Sequence, residues 1–189
     1  AVPLDAVTWN LWDGGSHVDD ARLKNLAVIA ENGFDVIGVQ HDGGTGATDL
    51  AAALGWHALE GPGDTGIVSP YPLTARATAE EDAPAFGATA DVLGQEVRVW
   101  SVALDAGGYG PDAACDAAPA DPDALIAAER ATLRFAQAEA VSRSLEKDLA
   151  VAARTAVIVL GDLQSPSGTD WTAETADAHC SAGAVDWPV

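Results

Sequence analysis

The chain has 189 residues, of which 48% are hydrophobic, so it is long enough for one domain with a real core. It carries 29 acidic residues against nine basic ones, and the resulting net charge of −20 repels phosphate backbones and anionic membrane surfaces. A nucleic acid is therefore an unfavourable partner. No apolar stretch is long enough to span a bilayer, so we expect no membrane partner either.

The predicted elements begin with a strand, a helix and a second strand. Alternation over residues 5–12 predicts the first strand, and apolar residues at i, i+3 and i+4 within 16–33 predict the helix, which Gly33 ends. The short apolar run 34–40 predicts a buried strand. Because strand, helix and strand in this order form one crossover unit of a layered fold, we expect an α/β protein.

The middle of the chain predicts a short helix and several strands. The helical pattern covers residues 47–55 and ends at Gly55. We expect single strands at 56–60, 65–69 and 73–79. Residues 88–105 predict a hairpin that turns near Gly94, since its second arm alternates in polarity.

The last third predicts a loop, a long helix and a buried strand. Residues 107–121 are rich in Gly, Ala, Asp and Pro and are expected to form a loop. A helix starts at Asp121–Pro122 and runs to about residue 153, with a drifting apolar stripe that allows a kink or break. The remaining elements are a buried strand at 155–162 and a short helix at 171–179. No linker separates two domains, so we expect residues 1–189 to form a single domain.

The two cysteines and the N-terminus indicate the cellular compartment. Cys115 and Cys180 lie in loop-like surroundings. The chain has no methionine and begins Ala-Val-Pro-Leu-Asp, which is typical of a mature N-terminus after signal-peptide removal, with an engineered start as the alternative. We therefore expect a secreted, extracellular protein whose two cysteines form a disulfide, with two unpaired thiols as the alternative.

Four segments resemble, in order, the landmarks of the endonuclease/exonuclease/phosphatase (DNase I-like) superfamily. These segments are VTWNLW, FDVIGVQH, TGIVSPYPL and VIVLGDLQSPSGTDW. The resemblance covers almost the whole chain and implies a four-layer sandwich, in which two packed β-sheets are flanked by helices. The chain ends at Val189, before the Ser-Asp-His segment of the family. We therefore expect the last strands to be missing or to lie on another chain.

The resemblance also implies metal-dependent phosphoester hydrolysis, but several residues depart from that chemistry. Asn10 and Asp162 match the family positions. His41 takes the place of the metal-binding glutamate, Ala103 that of the catalytic histidine, and Gln164 that of an asparagine. Losing one general acid–base group costs about a hundred- to ten-thousandfold in rate. We therefore expect no ordinary phosphodiesterase activity, with Asn10, Asp162 and Gln164 as remnants of a catalytic site.

His41 and Asp162 remain as a candidate metal pair, with Asp42 next to His41. Zn²⁺ accepts imidazole and carboxylate ligands, whereas Mg²⁺ prefers oxygen ligands. The alternative interpretation is a polar strand end that holds no metal. A divalent cofactor, Mg²⁺ or Zn²⁺, is expected only if the chain is an enzyme.

The chain has six tryptophans against three phenylalanines, an unusual ratio, and the functional interpretation is a cleft lined with aromatic faces that holds a flat or apolar ligand. Core packing is the alternative role of these side chains. The candidate ligand-binding residues near the family landmarks are Trp9, Trp12, Trp100 and Trp171, with Trp187 close to the end of the chain.

The leading functional hypothesis is a secreted, non-catalytic binding or carrier protein on a degenerate fold of this superfamily. Its expected partner is a small apolar or aromatic ligand, such as an antibiotic-type chromophore, or a second chain that completes the sandwich. The acidic composition, rich in Ala, Gly and Val, also resembles the apoproteins that carry enediyne antibiotics. The alternative is a metal-dependent phosphodiesterase or phosphatase with a rebuilt or split active site.

Overall fold

The computed structural model describes residues 3–79, 83–116, 121–167, 169–178, 180 and 183–189. The chain divides into two units. The first comprises Ala1–Ala103 and Ala140–Asp162, and the second comprises Leu104–Glu139 and Leu163–Val189. The expectation of a single domain over residues 1–189 stays a prediction.

The first unit contains two four-stranded sheets. The first sheet is built from β1 (Ala6–Asn10), β2 (Val36–Gln40), β3 (His57–Gly61) and β4 (Thr65–Ser69). The second sheet is built from β5 (Leu73–Thr78), β6 (Ala85–Val92), β7 (Gln95–Ala103) and β8 (Ala156–Asp162). Their strand orders are β1-β2-β4-β3 and β5-β6-β7-β8. The predicted strands are confirmed, although the hairpin of β6 and β7 begins three residues earlier than expected. The burial predicted for β8 is wrong for most of the strand, in which only Leu160 is buried.

Each sheet is mixed, with one parallel pair of strands at one side. The pairs β1–β2 and β7–β8 are parallel, and all the other pairs are antiparallel. Parallel neighbours end at the same edge of a sheet, so the polar residues that follow β1 and β2, or β7 and β8, come together there. The positions of the candidate site residues follow from this pairing.

Apolar side chains from both sheets meet in one buried cluster. Val36 and Ile67 of the first sheet share this cluster with Val99 and Leu160 of the second. The sheets approach closely because β2 carries Gly38, where a Cβ atom would lie 2.6 Å from the Cβ of Leu160. The predicted sandwich of two packed β-sheets is confirmed.

Two helices cover the outer face of the first sheet. They are α1 (Ala21–Asn32) and α2 (Gly46–Leu54), and each is followed by a glycine in the left-handed conformation, as the sequence predicts. Ile29 and Leu50 pack with Ile37 of β2 in a second buried cluster. Leu23 of α1 is 67% exposed, because the helix presents Leu26 and Ile29 to the sheet.

Between β7 and β8 the described residues form three helices, where the sequence predicted a loop and a long helix with a possible kink or break. The predicted loop 107–121 is wrong over α3 (Gly110–Asp116). The break that the sequence allowed is present, since the long helix is divided into α4 (Pro122–Arg130) and α5 (Leu133–Leu149), and it ends before residue 153. The residues of α5 up to Glu139 belong to the second unit, and those from Ala140 onward belong to the first. The break is stabilised by Thr132, whose hydroxyl accepts a hydrogen bond from the N–H of Phe135 at 3.2 Å. The predicted helix 171–179 is reduced to a short 3-10 turn at Ala176–Ala178, and His179 lies outside the described residues.

A small core and one covalent bond hold the second unit together. The core comprises Ala114, Leu125, Trp171, Val185 and Trp187. The predicted disulfide between Cys115 and Cys180 is confirmed. In the part of the chain that the structure describes, no helix combines the length and the hydrophobicity needed to cross a membrane.

Candidate functional site

The ends of β1, β2 and β8 bring three polar side chains of the first unit together. The amide nitrogen Nδ2 of Asn10 donates a hydrogen bond of 2.7 Å to Oδ2 of Asp162. The imidazole Nε2 of His41 lies 3.8 Å from the same oxygen. We call Asn10, His41 and Asp162 the strand-end site. The site joins the two sheets, since Asn10 ends β1 and His41 follows β2 in the first sheet, while Asp162 ends β8 in the second.

Asn10 is oriented by a second hydrogen bond. Its Oδ1 accepts a bond of 2.8 Å from the N–H of Trp12, so both ends of the amide are engaged. The side chain therefore presents its NH₂ group, a donor, to Asp162.

Gln40 is the last residue of β2 and directly precedes His41 of the strand-end site. It was not identified from the sequence. Its fully buried amide donates to Oγ of Ser101 at 3.3 Å and accepts from Oγ1 of Thr8 at 3.0 Å. Ser101 in turn donates to the carbonyl of Val39 at 3.2 Å. This network ties β1 and β2 to β7. One signal in the sequence could have identified it, namely a polar residue that closes an apolar buried strand.

His41 and Asp42 diverge although they are neighbours in sequence. His41 has a φ of 49° and a side chain that is 38% exposed, whereas Asp42 is buried. The carboxylate of Asp42 accepts hydrogen bonds from the N–H groups of Gly44 and Ala47, at 2.8 and 3.1 Å. Asp42 therefore stabilises the start of α2 and does not join His41 in the strand-end site.

No group that can transfer a proton occupies the strand position beside Asp162. In the parallel pairing of β7 and β8, Ala103 is the partner of Asp162. Alanine has no atom that donates or accepts a proton, and Ala103 is 5% exposed. The other predicted remnant, Gln164, belongs to the second unit, where it adopts a φ of 51°.

The donor set of the strand-end site does not fit Mg²⁺. A magnesium site requires oxygen ligands in near-octahedral geometry, and here one carboxylate oxygen is already bonded to Asn10 while His41 supplies nitrogen. Two ligands, His41 and Asp162, are also fewer than the three protein ligands of a catalytic zinc site. Among the described residues, no group of three or more His, Cys, Asp or Glu side chains is arranged to hold a metal ion.

The structure does not bring all the candidate tryptophans together. Trp100 is 1% exposed, and its indole N–H donates to Oδ2 of Asp148 at 2.8 Å, so it offers no surface to a ligand. Trp9 is partly buried against the core of α1 and α2. Trp12 is 61% exposed and stacks on His17, with 4.7 Å between ring centroids. Trp171 lies in the core of the second unit, edge-on to Trp187.

A second ionisable pair lies at the start of α2. The pKa of Glu60 is raised to about 7, first by burial and second by its hydrogen bond with the neighbouring carboxyl of Asp42. The N–H of Thr48 acts in the opposite direction, since it donates to Oε1 of Glu60 at 2.7 Å. Two carboxyl groups therefore share the free N–H groups of one helix terminus, and one of them retains a proton near neutral pH.

Comparison with known proteins supports the fold. No protein-family model matches the chain. An uncharacterized protein of Caenorhabditis elegans is 24% identical over 188 residues, which is 96% of this chain. The chain spans 60% of the length of that relative.

Solved structures of other proteins share the two-sheet architecture. A TDP2 of D. rerio, complexed with a single-strand DNA product, superimposes with a TM-score of 0.57 at 18% identity over 96% of this chain and 65% of its own. An endonuclease/exonuclease/phosphatase family protein of Bacteroides thetaiotaomicron has a TM-score of 0.55 at 15% identity, over 85% and 63% of the two chains. Sphingomyelinase C of Streptomyces griseocarneus has a TM-score of 0.52 at 15% identity, over 96% and 70%. At these identities the likeness shows the fold.

Proposed function

Starting from the endonuclease/exonuclease/phosphatase fold of this chain, we propose that it is a non-catalytic binding or carrier protein that works outside the cell. The observation that carries this proposal is the pairing of Ala103 with Asp162 at the end of β7 and β8. A phosphoester hydrolase needs a group that moves a proton at its reacting centre, and the loss of such a group costs about 10²- to 10⁴-fold in rate.

The contacts of Asp162 support the same proposal. Its carboxylate accepts a hydrogen bond from the amide of Asn10 and faces His41, so it already has interaction partners within the protein. A carboxylate held in this way stabilises the junction of the two sheets and is a weaker ligand for an incoming divalent ion. The strand-end site therefore acts as a structural junction in this proposal.

The exposed Trp12 supports binding of a small apolar or aromatic ligand. One face of its ring is covered by His17 and the side chain is still 61% exposed. Large aromatic faces of this kind supply contact area at a low cost in conformational entropy. The disulfide between Cys115 and Cys180 supports secretion, because such bonds persist in oxidising compartments.

A second candidate function is a metal-dependent phosphodiesterase or phosphatase with a rebuilt site. The observation that favours it is the meeting of Asn10, His41 and Asp162 at one edge of the sandwich. In this alternative, His41 and Asp162 would hold a transition metal that accepts both nitrogen and oxygen, such as Zn²⁺, and further ligands would come from outside this set.

Hydrolysis of bis(p-nitrophenyl) phosphate distinguishes the two functions. The wild-type chain, Asp162→Ala and the control Asp123→Ala, which changes an exposed carboxylate of α4, are assayed with Mg²⁺, Mn²⁺, Ca²⁺ and Zn²⁺. We expect all three proteins to release nitrophenol at the rate of the metal ion alone. A wild-type rate that Asp162→Ala abolishes and Asp123→Ala preserves would overturn the proposal in favour of the hydrolase.

A further inference from the structure

We propose that a polar cavity between α1 and α2 binds a small zwitterion, a molecule with both an ammonium and a carboxylate group. The cavity lies in the first unit and has a volume of about 270 Å³. Its charged and polar lining residues are Asp13, Arg22, Asn25, Asp42, Thr45 and Asp49. We call this set the polar cavity.

The polar cavity is separate from the strand-end site. Its walls come from the segments that follow β1 and β2, from the first half of α1 and from the first turn of α2. Asn10, His41 and Asp162 are absent from its lining residues. The inference therefore goes beyond the proposed function and holds whether or not the strand-end site hydrolyses a phosphoester.

The cation in the polar cavity is available to a ligand. The described hydrogen bond of Arg22 reaches the carbonyl of Asp49 at 3.5 Å, the outer limit for such a bond. Within the described part of the chain, Arg22 has no carboxylate within ion-pair distance, whereas Arg98 and Arg134 each contact at least one. A guanidinium without a carboxylate partner is well suited to bind the carboxylate of a ligand in a bidentate manner.

The carboxylates of the polar cavity differ in how many further hydrogen bonds they can accept. Both oxygens of Asp42 accept backbone N–H groups, so Asp42 contributes its charge alone. Asp49 accepts only a long bond of 3.4 Å from the hydroxyl of Thr45, and Asp13 contacts His17 at 3.2 Å through one oxygen. Asp13 and Asp49 therefore retain acceptor positions for the N–H groups of an ammonium.

Other classes of ligand fit these residues less well. A lone metal ion fits less well, because the described carboxylates do not form a group of three or more ligands that could coordinate one. An anion meets three carboxylates, and an amine without an acidic group leaves Arg22 facing a second positive charge. The cavity volume of about 270 Å³ lies just below the usual range for drug-sized ligands, about 300–1,000 Å³, so the cavity has room for a small molecule.

The test is calorimetric titration of the full chain with probes that carry one or two charges. The zwitterionic probes are glycine, β-alanine and 4-aminobutyrate, which differ in charge separation, and the single-charge probes are butylamine and butyrate. We expect at least one zwitterion to bind about tenfold or more tightly than either single-charge probe. Arg22→Gln and Asp49→Asn are each expected to weaken that binding about tenfold or more, since each removes one charge partner.

A matched control distinguishes a direct contact with the ligand from the long-range electrostatic effect of removing one positive charge. Lys24→Gln removes a positive charge from the same helix, at an exposed position outside the polar cavity, and is expected to change the affinity less than about twofold. Three results would each overturn the inference: butylamine binding as tightly as the best zwitterion, equal losses in Lys24→Gln and Arg22→Gln, or no heat of binding from any zwitterion at about 10 mM. None of these three binding results depends on whether the strand-end site hydrolyses a phosphoester, so this test is independent of the hydrolysis assay.

Discussion

At the scale of single residues, Glu60 shows how burial alters the charge state of a side chain. Its pKa is raised to about 7 by burial first and by the adjacent Asp42 carboxyl second. An acid with a raised pKa in the folded state holds its proton more tightly there than in the unfolded chain. The contribution of Glu60 to stability is therefore fully present below the unfolded pKa of 4.5 and is lost as the pH rises through about 7.

We expect Glu60→Gln to flatten the dependence of stability on pH. The neutral amide can still accept the N–H of Thr48, and it removes the cost of ionising a partly buried acid next to Asp42. The melting temperature of the wild type should fall between about pH 5 and about pH 8 by more than that of the variant.

The control for this variant is Glu31→Gln on the exposed surface of α1. It also removes one negative charge from a protein with a net charge of −20, so it shows how much of the change in stability comes from reduced repulsion among the carboxylates in general. A control curve as flat as that of Glu60→Gln would refute the assignment to Glu60.

At the scale of elements, Asp148 connects α5 to the second sheet. Its carboxylate accepts hydrogen bonds from Arg76 of β5 at 2.7 Å, Arg98 of β7 at 2.9 Å and the indole of Trp100 at 2.8 Å. Burial alone would raise the pKa of Asp148, but these three donors hold it below its usual value. One helix residue thereby forms ion pairs with two arginines on two different strands.

We expect Asp148→Asn to destabilise the first unit by roughly 3 kcal/mol, since breaking a buried ion pair leaves uncompensated charge. Urea unfolding at neutral pH measures this loss. The difference from the wild type should shrink as the pH falls below about 4, because Asp148, whose folded pKa is lowered, then becomes protonated and its contribution disappears.

Glu96→Gln is the control for this variant. It removes a half-exposed partner of Arg98 and should cost less than about 1 kcal/mol, and an equal loss in both variants would refute the role of Asp148.

At the scale of the whole molecule, the two units rely on different means of stabilisation. Among the described residues of the first unit, apolar clusters lie on either side of β2. The second unit has one small cluster, the disulfide between Cys115 and Cys180, and a buried ion pair of Arg134 with Glu129. A small core is commonly supplemented by a covalent bond, because it buries too little apolar area by itself.

We expect the double variant Cys115→Ser/Cys180→Ser to destabilise the second unit selectively. Cross-linking residues 65 positions apart removes chain entropy from the unfolded state worth about 4 kcal/mol. Hydrogen exchange read by mass spectrometry should show faster exchange in α4 and unchanged exchange in β6 and β7. The wild type in a reducing agent should reproduce this pattern. Uniform acceleration along the chain would contradict a stabilisation confined to the second unit.

Several features of the fold could be predicted from short stretches of sequence. The ends of α1 and α2 follow from Gly33 and Gly55, since glycine adopts the left-handed conformation without strain. The start of α4 follows from Asp121, which caps the N–H of Asp123 at 3.1 Å. The helix α3 was missed because its composition, rich in Gly, Ala and Asp, favours a loop, whereas its burial against Trp187 depends on distant residues.

By itself, the sequence determined the order of strands and helices, the disulfide partners and the absence of a histidine at Ala103, because these depend on residue identity and on contacts within a few positions. Only the tertiary structure decided which polar groups meet. Asn10 and Asp162 are 152 positions apart, and their contact depends on the packing of two sheets. The polar cavity likewise requires α1 and α2 to lie side by side on one sheet, and no local pattern specifies that arrangement.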